Sequence, residues 1–142
     1  MSRIHKQKSK LIKLKNDKNK NTYITTKEDC IKWSRIINRE IFNNQLAEID
    51  NIEIGWRRKC WAYYAYDVNK KGERYIKLAM NKKYPSKLFF VEVLAHELIH
   101  HYQFLFGDPV GHGPSFSDWT DKFNKRGLNL AKYHDTKKSY IS

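Results

Sequence analysis

Two histidines and a glutamate stand together in the chain as His96-Glu97-Leu98-Ile99-His100. On an α-helix, residues four apart share one face and lie about 5–6 Å apart. That spacing lets two imidazoles reach one zinc ion at about 2.0–2.1 Å each. Glu97 directly follows the first histidine, the place of the general base in the H-E-x-x-H pattern of zinc metalloproteases. His112 comes 12 residues after His100, within Gly111-His112-Gly113-Pro114, where glycines let the backbone turn tightly. A catalytic zinc takes three protein ligands and keeps one position open for water, so His112 is the natural third ligand. Zinc held this way lowers the pKa of that water toward ~7 and polarises a scissile carbonyl. Glu97 would take the proton from the water and return one to the leaving amine. His101 points about 100° away around the helix from His100 and is not expected to be a ligand.

The elements around these residues must position them. Pro85-Ser86 starts a helix with Ser86 as N-cap. Leu88, Phe89, Val91, Leu94, Ala95, Leu98, Ile99, Tyr102 and Leu105 give it a broad apolar surface, so it is mostly buried. Gly107 ends it and Pro109 prevents its resumption. Buried polar groups cost free energy unless satisfied, so His96, Glu97 and His100 need a reason to be there. A helix of about 18 residues begins at a capping box, Thr25-Thr26-Lys27-Glu28, and carries a stripe of Cys30, Trp33, Ile37 and Ile41. Strands follow over 52–56, 60–66 and 75–80, joined by the basic turn Arg57-Arg58-Lys59 and by 67–72. Trp61 and Tyr63 alternate with Ala62, Tyr64 and Tyr66, putting aromatics on both faces, for sheet packing or for stacking on bases. Ser115 caps a last helix, with Asp118 at N3 and Phe116, Trp119 and Phe123 inside, ending at Gly127.

With those residues in view, His96-Glu97-Leu98-Ile99-His100 followed by Gly111-His112-Gly113-Pro114-Ser115-Phe116 resembles the SprT-like zinc metalloproteases, the family that includes Spartan. Ile41 to Leu46 resembles the end of that family's first helix. Ile52 to Trp56, Cys60 to Tyr66 and Arg74 to Met80 resemble its three-stranded segment, and Tyr133-His134 a short element past its last helix. The resemblance covers roughly residues 25–136. It implies an α+β, zincin-like metalloprotease domain with three main helices and a small three-stranded antiparallel sheet. It also implies one catalytic zinc on His96, His100 and His112, with Glu97 as catalytic base. The proteins it would cleave are bound on or crosslinked to DNA. Tyr133 or His134 is a candidate donor to the oxyanion.

Composition bounds the rest. The chain has 142 residues, enough for one domain with a real core, and reads as a basic flexible arm over 1–22, the metalloprotease domain over 23–136 and a disordered tail over 137–142. Net charge is +13, the footprint of a polyanionic partner. Residues 1–20 hold Arg3 and seven lysines against Asp17, a net +7. DNA contact is expected from this arm, from Arg57-Arg58-Lys59 and from the aromatic strand, since no cysteine-rich zinc ribbon follows the domain. No run of 18 apolar residues predicts a membrane span, and the basic N-terminus lacks the apolar stretch of a secretory signal. Cys30 and Cys60 suit free thiols in a reducing compartment, so a cytoplasmic, nucleoid or nuclear location is expected. Two other readings compete. One is a nucleic-acid-binding module with a structural zinc, against which the intact Glu97 speaks. The other is a narrow processing peptidase that docks one protein partner through the arm.

Overall fold

A computed structural model of the chain describes residues 9–17, 21–56 and 59–130. In chain order its elements are α1 (Lys10–Lys15), β1 (Tyr23–Ile24), α2 (Lys27–Glu40), β2 (Ile52–Gly55), β3 (Ala62–Val68), β4 (Arg74–Asn81), β5 (Lys83–Tyr84), α3 (Lys87–Phe106) and α4 (Pro114–Asn124). The fold is therefore mixed helix and sheet. None of its described helices is long and apolar enough to cross a membrane.

The third helix is the axis. Ser86 accepts from Phe89 N–H at 3.1 Å to cap it, and Gly107, at φ +79°, ends it in the left-handed conformation. Every residue from Phe90 to His101 is buried, because α2, α4, β3 and β5 all pack on it. Such a helix is apolar all round rather than striped, and its polar residues stand out against that background.

The main sheet has the order β2-β4-β3. The second strand pairs with β4 in parallel, Ile52 opposite Leu78, and β3 pairs with β4 antiparallel, Tyr64 opposite Leu78. This corrects the expected all-antiparallel sheet. Consecutive strands suggested a meander, but the chain from β2 crosses to the far edge before β3 begins. The fourth strand is then central, and Leu78 to Asn81 are buried on both faces. A second sheet of two short strands joins Tyr23 to Tyr84, and the Tyr23 ring stacks on Phe90 at 4.5 Å.

The helix ends also shift. Thr26, not Thr25, caps α2, accepting from Asp29 N–H at 3.1 Å. That helix stops after 14 residues, since Asn43 and Asn44 turn left-handed (φ 52° and 61°) and the Asn38 amide clasps the backbone of Leu46. The fourth helix starts with Pro114 at its first turn and has no side-chain cap. Ser115 faces the preceding loop instead and donates to Asp108 Oδ2 at 3.2 Å.

The largest departure is at the N-terminus. The expected flexible arm contains a docked helix. Leu11 (0% exposed) and Leu14 belong to the core. The Glu40 carboxylate accepts from Ser9 Oγ at 2.6 Å and Lys10 N–H at 2.8 Å, and it pairs with Arg126 Nη1 at 3.3 Å. One acid thus ties α1 to the chain after α4. Gly127 lies against α1, where an added Cβ would stand 2.8 Å from Lys15 Cγ. Leu11→Ala should therefore cost about 2–5 kcal/mol of stability, as burial of a core leucine does. Urea unfolding measures it, and a midpoint equal to wild type would show that α1 is not part of the folded unit. Residues 1–8, 18–20 and 131–142 lie outside the described residues.

Candidate metal centre

The 3.6-residue repeat of α3 stacks His96 and His100, with ring centroids 5.1 Å apart. The loop after Gly107 folds back and brings His112 to 5.1 Å from the first ring and 5.0 Å from the second. One nitrogen from each of the three rings lies within 4.8 Å of the others. Nε2 of His96 and Nε2 of His112 are 3.2 Å apart. Nitrogens bound tetrahedrally to one zinc at about 2.0–2.1 Å would stand roughly 3.3 Å apart, so this pair already has a ligand spacing. Phe116, at the start of α4, lies against all three rings at 4.7, 5.3 and 4.9 Å. The first two histidines are buried and His112 is exposed, so the cluster opens to solvent on the side of the third.

Glu97 is 1% exposed. Its Oε1 has no hydrogen-bond partner among the described residues. Burial pushes its carboxyl well above the usual carboxylate range. A buried acid with an unmet oxygen, next in sequence to the first of the clustered imidazoles, fits a group that gains its partner when a cation and water occupy the site.

One residue that the sequence reading missed holds the cluster together. Gln103 is fully buried. Its Oε1 accepts from His100 Nδ1 at 2.9 Å and from Gly111 N–H at 3.2 Å. Its Nε2 donates to Gly111 O at 3.1 Å and to Ser115 Oγ at 3.4 Å. The amide therefore clamps one histidine of the helix to the loop that carries His112. It also keeps the proton of His100 on Nδ1, which leaves Nε2 with its lone pair. The signal was available: Gln103 lies three residues past His100, on the same helical face, inside an apolar run. Gln103→Leu should keep the fold and weaken binding of a metal ion at the cluster by about 10–100-fold, as loss of a partner behind a ligand does. Chelator competition measures this, and an unchanged affinity would make the clamp irrelevant to the site.

His101 is a structural group. Tyr64 Oη donates to its Nδ1 at 2.7 Å, and its Nε2 donates to Ala47 O at 2.8 Å. Burial lowers its pKa and raises that of Tyr64. The pair ties α3 to β3 and to the chain after α2. Tyr64 is thereby committed to the interior, and Trp61 packs on Tyr84 and Phe89. Tyr66 is 45% exposed beside Phe104. Arg57 and Arg58 of the basic turn, and Tyr133 and His134, lie outside the described residues.

Fold and site together define a mixed helix-and-sheet domain with a three-histidine cluster, of the kind that could hold a metal ion, on and beside its central helix. The chain belongs to the SprT-like family, whose family model matches residues 30–134. Comparison with curated proteins and with solved structures gave no match.

Proposed function

We propose that this protein is a zinc-dependent endopeptidase that cleaves proteins held on DNA. The observation that carries the proposal is the convergence of three imidazoles, two from α3 and one from the loop after it, with a buried glutamate next in sequence to the first. Family membership supports it. His96, His100 and His112 would hold the ion, and Glu97 is the catalytic residue. Zinc, when bound, supplies Lewis acidity to the scissile carbonyl and acidifies the attacking water.

The chain's own residues do the rest. Glu97 accepts a proton as the water oxygen bonds to the carbonyl carbon. It then gives that proton to the amine nitrogen as the carbon–nitrogen bond breaks. Phe116 closes off the back of the three rings. Gln103 keeps His100 and the His112 loop in register. The third strand is a sheet edge that packs on α3, so an extended substrate adding a strand there would run alongside the helix.

The DNA part of the reading rests on the net charge of +13. The test is a gel assay on a basic protein bound to single-stranded DNA, with and without the DNA. Faster cleavage with DNA is expected. Cleavage indifferent to DNA would replace this substrate class with that of a general or partner-directed peptidase.

A further inference from the structure

The docked N-terminal helix creates a surface that a loose arm would not. It closes one side of a groove of about 400 Å³ whose other walls come from α2 and the start of α3. Lys10, Lys13, Lys32 and Lys87 line it, with Asp17 the one carboxylate. The ammonium groups of Lys32 and Lys87 both lie over the Trp33 ring, 5.7 and 5.4 Å from its centroid. Four like charges from three elements repel one another. The contacts of two of them with a ring face offset part of that. Lys32 and Lys87 are therefore held at the groove rather than dispersed into solvent. The groove itself is fixed, because Leu11 and Leu14 anchor α1 in the core and Glu40 caps it.

We infer that this groove seats the phosphate backbone of a single nucleic-acid strand. The inference rests on the reading of DNA-held substrates and deepens it by naming the surface. The charge sign selects a polyanion. Trp33 is 5% exposed and covered by lysines, so no base can stack on it and binding is through phosphates alone, without sequence preference. A positively charged groove that tracks one backbone is how single strands are held, and here three helices supply its lysines. The helix precedes residues 30–134, the part matched by the SprT-like family model, so one wall of the groove lies outside that match.

The test uses the full chain carrying Glu97→Gln, so that nothing is cleaved, and a labelled oligothymidylate of about 20 nucleotides. Affinity is read by anisotropy over a salt series. Each phosphate neutralised on a single strand adds about 0.7 to the slope of log affinity against log salt. Lys32→Gln with Lys87→Gln should flatten the slope by about 1.4, and Lys10→Gln with Lys13→Gln by a similar amount. Lys70→Gln with Lys71→Gln, in the turn between β3 and β4, should leave it unchanged. The two pairs sit on different elements, so a folding defect in one, seen by melting, leaves the other to decide. A wild-type slope in both pairs overturns the inference. So does a chain that ignores the strand and binds duplex, poly-glutamate or anionic vesicles instead. No strand binding by the chain with all its groove lysines intact, while wild type still cleaves a DNA-free unfolded protein, would overturn the groove and spare the peptidase. Strand binding by the groove with no cleavage by wild type would do the reverse.

Discussion

Glu97→Gln is expected to slow peptide hydrolysis sharply and to leave metal binding in place. Glutamine has nearly the same shape, so at a position 1% exposed it opens no cavity. What it removes is the oxygen that can take a proton. General acid–base catalysis contributes about 10²–10⁴-fold, so the cleavage rate should fall by that factor. Zinc content should stay equal to wild type, because the three imidazoles are untouched. Stability gives a second readout. Burial holds the carboxyl of Glu97 well above its usual range, and no hydrogen bond from the described residues meets its Oε1. The metal-free variant should therefore melt no lower than metal-free wild type. Cleavage at the wild-type rate would remove Glu97 as the base.

His112→Ala has the opposite profile. The residue is exposed and lies on a loop, so its loss should change the melting temperature of the metal-free protein little. Two imidazoles remain, and a zinc that needs three protein ligands is held poorly by two. Affinity should fall by more than about 100-fold, beyond what loss of a supporting hydrogen bond costs. Competition against a chromogenic chelator reads it, with cleavage falling in step. Unchanged affinity would mean that another group completes the site. His96→Ala and His100→Ala would test the same centre less cleanly, since both rings are buried and their removal leaves voids.

Much of the site was legible in the sequence because its signals are local. The i, i+4 spacing fixes the nearness of His96 and His100 once a helix is granted, and Ser86 and Gly107 bound that helix as read. Gly111 and Gly113 flag a loop that can return, and His112 does come back to the other two rings. Non-local choices were not legible. Alternation in Ile52–Gly55 says that one face is buried, not which strand lies beside it, so the parallel pairing with β4 had no local signature. The burial of Leu78 to Asn81 on both faces follows from that same choice.

Lysine density made residues 10–15 look like a solvated tail. Leu11 and Leu14 are too few to announce a core helix, and Glu40, which caps it, lies about thirty residues away in sequence. Thr25 and Thr26 are equally good caps by type, and only the backbone direction chooses the second. Gln103 shows the same limit at the site. Its position on the helical face could be computed, but its two bonds to Gly111 depend on how the loop returns.

The central claim is that the three-histidine cluster with Glu97 is a working hydrolytic centre. Its most direct test is a chelation and restoration experiment on the purified chain, with cleavage of a DNA-bound basic protein and bound zinc measured on the same samples. Chelation should remove both, one equivalent of zinc should restore both in wild type, and Glu97→Gln should recover zinc without cleavage. Cleavage that survives removal of the metal would contradict it, as would full zinc loading in wild type with no cleavage of the DNA-bound protein or of an unfolded one.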